Sequence, residues 1–353
     1  SVLQAMLEED MITVQQFEDA LNYELVFSHE SLAQSTHSVN TYFEEHVMQE
    51  VTQDLMDQYG YTYNVANAMV MNGGLQIYTS LDPTIQEPLD RYFSDIDYFQ
   101  ADPSLFINTP EIPQGGMVVF DNRTGLLVAM QGGYGKKEAN MVFNRATDSI
   151  NSPASSIKPL GVYGPAIEED IVTGATIIRD EEVYLDFQNP GVPWPDNWYT
   201  DEFLGDMSVR YAVKISNNIP SVKTLFQLGV DRSKAYMKKM GIDLTNDPVD
   251  LAIATGAFSY GVSPMQLGNA YQTFVNGGQY APAKSYTKVV DADGIVLLEN
   301  NPDYVSVFSP ETSYMMLRIM ESSLLPPSPG EIMLSSAYRI GPIHHATGEQ
   351  HPT

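Results

Sequence analysis

Two strand hairpins written at opposite ends of a long helix-patterned stretch constrain this chain most. Gly116 to Phe120 and Leu126 to Gln131 read as strands, joined by the turn-rich link Asp121-Asn122-Arg123-Thr124-Gly125. Far downstream, Tyr286 to Val290 and Gly294 to Leu298 flank Asp291-Ala292-Asp293 as a second hairpin. Between them, helical segments are predicted near 155–169, 207–215, 220–228, 231–240 and 263–276. Strands at both ends of a helical middle point to an α+β fold, with helices packed against one antiparallel sheet.

The segment before the first hairpin has a different pattern. Residues 1–60 are acidic and helical in spacing. Thr13-Val14-Gln15-Gln16 carries a capping-box pattern, and a second helix is expected from about Val39 to Tyr59. Gly74 to Phe93 then reads as strand, turn, helix, with Asp82-Pro83 as the helix-start signal. The tail from Leu324 to Thr353 is proline-rich, holds His344, His345 and His351, and has no clear period.

Composition removes several classes of function. At roughly 150 residues per domain, 353 residues predict about two domains. A net charge of −27 repels phosphate backbones and anionic lipid, so no nucleic-acid partner is expected. The absence of cysteine excludes disulfides, thiolate metal sites and a thiol nucleophile. The three tail histidines lack the carboxylate pattern of a metal site, and no metal or cofactor is expected. No apolar run approaches the ~18 residues of a membrane span. The start, Ser1-Val2-Leu3-Gln4, is not a signal peptide and reads as the middle of a longer protein.

A covalent nucleophile would therefore be Ser, Thr, Lys or a carboxylate. A serine hydroxyl needs a base, and a lysine can serve if burial or a neighbouring cation lowers its pKa. On a helix, residues i and i+3 share a face, so Ser-x-x-Lys can place the amine beside the hydroxyl. On a strand they point to opposite faces. The sequence holds two such tetrapeptides. Ser285-Tyr286-Thr287-Lys288 lies in a strand and is rejected. Ser155-Ser156-Ile157-Lys158 follows Pro153-Ala154 at a helix start, where outward N–H groups favour developing negative charge. On the motif alone, a solvated helix start is the commoner reading. Ser216-Asn217-Asn218 interrupts two helices and could offer a hydroxyl and an amide to a cleft, although Ser and Asn are also ordinary turn residues. Gly132-Gly133-Tyr134-Gly135-Lys136-Lys137 lacks the spacing of a phosphate loop and reads as a hairpin end.

Taken together, the motifs resemble the bifunctional (class A) penicillin-binding proteins, over residues 1 to about 320. Gly74 to Gln86 resembles the segment preceding their transpeptidase domain, and Met6 to Ala20 the connector after their glycosyltransferase domain. Asn122-Arg123-Thr124-Gly125, Gly132-Gly133 and Phe143-Asn144-Arg145-Ala146-Thr147 follow in the family's order. Pro153 to Pro159 is similar to its nucleophile motif. Trp194-Pro195-Asp196-Asn197 is similar to the segment before its second motif, Ser216-Asn217-Asn218. Phe274-Val275-Asn276-Gly277-Gly278 resembles a later helix end.

The resemblance implies a connector over residues 1–110 and a transpeptidase domain over 111–353, without the glycosyltransferase domain. It implies a penicillin-binding-protein transpeptidase (serine β-lactamase-like) fold, with a five-stranded antiparallel sheet incomplete at its C-terminal strands. Ser155 would attack the carbonyl of the penultimate D-Ala of a peptidoglycan stem peptide, with Lys158 as general base. Ser216 would relay the proton to the leaving D-Ala, and Asn218 would hold the substrate amide. An amine of a second stem would take the acyl group, and β-lactams would acylate the same serine. The full-length protein would act on the extracytoplasmic side of a bacterial membrane, anchored by an N-terminal segment.

Two positions depart from the family. Ala154 stands where the family has glycine, a minor change provided its backbone angles suit a residue with a Cβ. The third motif, Lys-Thr-Gly or Lys-Ser-Gly, has only Ala346-Thr347-Gly348 as its nearest candidate, without the lysine. Thr347 and Gly348 are carried as candidate substrate-binding residues on that basis. The tail is expected to come from a truncated or frame-shifted copy; a pseudoenzyme and an active enzyme with its cation elsewhere are the other readings. The rival functions are an inactive or truncated wall-binding or scaffold module, and a serine β-lactamase or β-lactam sensor.

Overall fold

Local signals at helix ends set much of this architecture. The structure, a computed structural model, describes residues 4, 6–7, 11–22, 39–94, 114–186, 189–198 and 202–325. The chain divides into two compact units, Ser1–Val39 and Asn40–Thr353. In the first, helix α1 (Val14–Asn22) opens on the expected capping box: Gln16 N donates to Thr13 Oγ1 at 3.2 Å, and Thr13 N to Gln16 Oε1 at 2.8 Å.

The second unit opens with helix α2 (Tyr42–Tyr59), held by a capping box between Thr41 and Glu44 and stopped by left-handed Gly60. Phe43, Val47, Val51 and Leu55 recur every fourth residue and are buried along one stripe. Helix α3 (Tyr63–Asn72) follows; it lacks a side-chain cap and was not anticipated from the sequence. Buried Glu45 on α2 pairs with Lys137 at 2.7 Å, and Lys137 also donates to the Asn40 and Ala139 carbonyls. These bonds compensate two charges withdrawn from water.

The predicted strands form where expected. Strand β1 (Gln76–Thr79) precedes helix α4 (Pro83–Ser94), and β2 (Met117–Asp121) pairs antiparallel with β3 (Leu126–Gln131). Later, β7 (Tyr286–Val290) pairs with both β1 and β8 (Val296–Glu299), giving the sheet order β1-β7-β8. The α+β fold is borne out. Among the described residues its antiparallel strands lie in small sheets, of which β1-β7-β8 is the widest, rather than in one sheet of five. Short pairs missed by sequence reading complete the strands: β4 (Ile177–Asp180) with β5 (Gly205–Ser208), and β6 (Gln279–Tyr280) with β9 (Val305–Ser306).

The main core lies among helices. Helix α5 (Gly164–Glu168) is followed by α6 (Val209–Lys214), α7 (Asn218–Leu228), α8 (Val230–Lys239), α9 (Pro264–Val275) and α10 (Pro310–Glu321). Leu160, Tyr163, Val222, Leu225, Phe274 and Phe308 are fully or almost fully buried there, and the Phe274 and Phe308 rings stack at 5.3 Å. The helix expected over 155–169 is three geometries in succession: a 3-10 turn over Ala154–Ile157, a π-helix over Lys158–Tyr163, then α5. Pro159 and Pro165 carry no N–H, so a regular α-helical ladder cannot form across this stretch.

Candidate active site

The 3-10 turn presents two adjacent serines in different ways. Ser156 is exposed, and its hydroxyl donates to the Pro153 carbonyl. Ser155 is half-buried, lines a cleft of about 620 Å3, and its hydroxyl has no hydrogen-bond partner among the described residues. Of the two, Ser155 is the one available for chemistry.

Lys158 sits one turn further on and is 2% exposed. Its Nζ donates to the Ser216 carbonyl at 2.8 Å, to Ser216 Oγ at 3.2 Å and to Asn218 Oδ1 at 2.7 Å. An ammonium has three hydrogens, and these three acceptors engage all of them. Burial alone pushes the Lys158 amine down to about 7. The group is therefore a lysine that can lose its proton near neutral pH.

Ser216 joins α6 to α7 in a left-handed conformation, with φ of 53°. That backbone turn lets its carbonyl and hydroxyl face the same amine. Buried Asn217 caps α7, its Oδ1 accepting from Ile219 N at 3.0 Å. Asn218 is held from the other side: its Nδ2 donates to the Asp196 carbonyl at 2.8 Å, and its N to Asn197 Oδ1 at 3.3 Å. Asn197 Nδ2 in turn donates to Asp180 Oδ1 at 2.9 Å, and Asp180 is buried at the end of β4. The relay Asp180–Asn197–Asn218–Lys158 thus orients the amine through polar groups. The predicted Ser155, Lys158, Ser216 and Asn218 come together; Thr347 and Gly348, like Ala346 and the three tail histidines, lie outside the described residues.

Residues 115–330 match the family described as the penicillin binding protein transpeptidase domain. The chain belongs to the penicillin-binding protein transpeptidase family. Penicillin-binding protein 1A of Clostridium acetobutylicum is 32% identical over 336 residues, which cover 91% of this chain and 40% of that protein. Penicillin-binding protein 1F of Bacillus subtilis is 30% identical over 259 residues, covering 73% of this chain and 34% of that protein. The chain thus spans less than half the length of either relative. Among solved structures, Penicillin-Binding Protein 1A from Haemophilus influenzae gives a TM-score of 0.64 at 18% identity, covering 96% of this chain and 65% of that one. The PonA1 protein of Mycobacterium tuberculosis, solved in complex with penicillin V, gives 0.61 at 19% identity, covering 78% and 70%. These likenesses establish the penicillin-binding protein fold, and the expected class A resemblance stands.

Several supports of this penicillin-binding protein site were not legible as motifs. Burial raises the Tyr271 phenol well above its ordinary value, so it stays a donor, and its hydroxyl binds the Ser156 carbonyl. Gly256 follows a 3-10 turn over Leu251–Thr255, with φ of 81°, and its carbonyl accepts from Ser152 Oγ. A Cβ there would lie 2.1 Å from the Ala154 carbonyl oxygen, so glycine alone permits this approach.

Ala154 corrects an expectation. Its φ is 47°, so its backbone does not suit a residue with a Cβ, and the change from the family's glycine is not minor. The left-handed conformation costs an alanine roughly 1–2 kcal/mol, while glycine's looser unfolded state offsets about 0.4–1 kcal/mol. Ala154→Gly is therefore expected to stabilise the protein by about 0.5–1 kcal/mol in urea unfolding. A loss of stability would show that the strain is relieved in some other way.

Proposed function

We propose that this chain is a serine D-Ala-D-Ala transpeptidase module that cross-links peptidoglycan stem peptides. The observation carrying the reading is a buried amine poised near pH 7, one helical turn from a serine hydroxyl with no partner among the described residues, and bonded to a second serine. Neutral Lys158 takes the proton of Ser155, whose Oγ forms an ester bond to the penultimate D-Ala carbonyl. Ser216 passes that proton to the departing amino group as the C–N bond breaks and D-Ala leaves. An amine of a second stem then attacks the ester, its surplus proton returns to Ser155, and the new amide is the cross-link. Asn218 Nδ2 keeps one hydrogen beyond its bond to Asp196 and can donate it to the substrate amide. The Ser155 N–H supplies one oxyanion donor, and the third-motif candidates Thr347 and Gly348 are read as the source of the other.

On this reading residues 1–110 are the connector and 111–353 the transpeptidase domain. The whole protein works outside the cytoplasmic membrane, anchored through an N-terminal segment, and β-lactams acylate the same serine. The test is intact mass after incubation with benzylpenicillin. A stable single adduct is expected on the parent chain and none on Ser155→Ala. No adduct on a folded parent chain would replace this reading with that of an inactive wall-binding module, and rapid turnover would favour a β-lactamase.

A further inference from the structure

A second cleft, of about 460 Å3, lies between α2, α3 and residues Asn140 and Met141, and shares no lining residue with the Ser155 cleft. That volume is within the ~300–1,000 Å3 of small-molecule sites. Its walls carry five side-chain carboxamides, from Asn40, Gln49, Gln53, Asn67 and Asn140. Helix α3 contributes Tyr63, Asn67 and Met71 at successive turns of one face. The side-chain amides of Gln49 and Asn67 have no hydrogen-bond partner among the described residues. Asn140 Oδ1 accepts from Asn40 N at 2.7 Å, which leaves its amide hydrogens available.

The charge here is unlike that of the rest of the chain. The one acid in the lining, Glu45, is cancelled by Lys137 at 2.7 Å. The surface is therefore uncharged on a molecule of net charge −27. Among the described lining residues an anionic ligand would meet no available cation, and the carboxylate beside the cleft, Asp57, accepts from Gln53 Nε2 at 2.9 Å. Carboxamides donate and accept side by side, as hydroxyl pairs and acetamido groups do. The Tyr63 ring is 58% exposed, and its electron-rich face suits the C–H face of a pyranose. The thioethers of Met48 and Met71 offer soft apolar contact for an acetyl methyl.

We propose that this cleft binds an uncharged strand of N-acetylated amino sugars, a glycan subsite separate from the acyl-transfer centre. The inference rests on the reading of the chain as a wall-polymer enzyme. The test is saturation-transfer NMR and calorimetry of the whole chain with the β-1,4 tetramer of N-acetylglucosamine. The unacetylated cellotetraose and an N-acetylated, amidated tetrapeptide serve as comparison probes. Binding of the first probe alone is expected, weakened at least ~10-fold by Asn67→Ala and by Tyr63→Ala. Both positions are on the surface of α3, and circular dichroism checks that the helix persists. Absence of binding to the parent chain, affinity unchanged in both variants, or equal binding of cellotetraose or the tetrapeptide would overturn the proposal. The benzylpenicillin adduct on Ser155, measured in parallel, is expected to be unchanged in both variants. An adduct without tetramer binding sinks the glycan subsite alone; tetramer binding without an adduct sinks the transpeptidase reading alone.

Discussion

Lys158→Met is expected to slow acylation of Ser155 by benzylpenicillin about 10^3-fold, the scale of a lost general base. Methionine keeps the length and apolar stem of the side chain but cannot take a proton. The parent rate should also depend on pH in a defined direction. Lys158 acts as a base only when neutral, and burial sets its pKa at about 7. Acylation should therefore rise through pH 6–8 and level off above, while the slow Lys158→Met rate shows no such step. The same burial affects stability with the opposite sign from a salt-bridged lysine. Its folded pKa lies below the unfolded 10.5, so the unfolded chain binds the extra proton between about pH 7 and 10.5. The burial penalty is full below 7 and fades as pH rises across that window. A pH-independent acylation rate in the parent would remove Lys158 from the role of base.

Gly256→Ala is expected to cost roughly 3 kcal/mol of stability, the upper end for a forced overlap or a strained backbone position. The added methyl would sit 2.1 Å from the Ala154 carbonyl oxygen and 2.5 Å from its carbon, and neither is a flexible side-chain tip. Relief requires the start of the 3-10 turn that carries Ser155 to move, so acylation should slow as well. Gly294, at the tip of the β7–β8 hairpin, is the control: its φ is 85°, with nothing within 4 Å of a built Cβ. Gly294→Ala should cost only the left-handed backbone term less the unfolded-state offset, about 0.5–1 kcal/mol, and leave acylation intact. Equal effects at the two positions in urea unfolding and in acylation would dismiss the contact as the cause.

Local spacing made Ser155 and Lys158 readable, because one helical turn brings i and i+3 together. It also disposed of the second Ser-x-x-Lys. Tyr286–Val290 is a strand, Ser285 Oγ donates to Glu50, and Lys288 lies over the Tyr78 ring. The meeting of Lys158 with Ser216 spans 58 residues and could be anticipated only through the family resemblance. The supporting Asp180 carries no signal in the sequence, and Asn197 is reached only through the resemblance of Trp194-Pro195-Asp196-Asn197, since the roles of both arise from tertiary approach. The left-handed backbone of Ala154 was equally hidden, because nothing in Pro153-Ala154-Ser155 announces a positive φ. Helix α3 was missed for want of a cap, and Ile177-Ile178-Arg179-Asp180 and Gly205-Asp206-Met207-Ser208 do not alternate apolar with polar residues as a strand signal requires.

The core beneath α2 bears on how such a chain can be inherited. Phe43, Val47, Val51 and Leu55 share one buried cluster with Leu127, Met130, Tyr286 and Val289, which lie far along the sequence on β3 and β7. Recombination that exchanged residues 40–94 between diverged relatives would part side chains that fit one another, leaving voids or overlaps. The segment before the first hairpin is thus bound to its own hairpin and sheet, and substitutions on either side of this seam should drift as matched sets rather than as a transferable cassette.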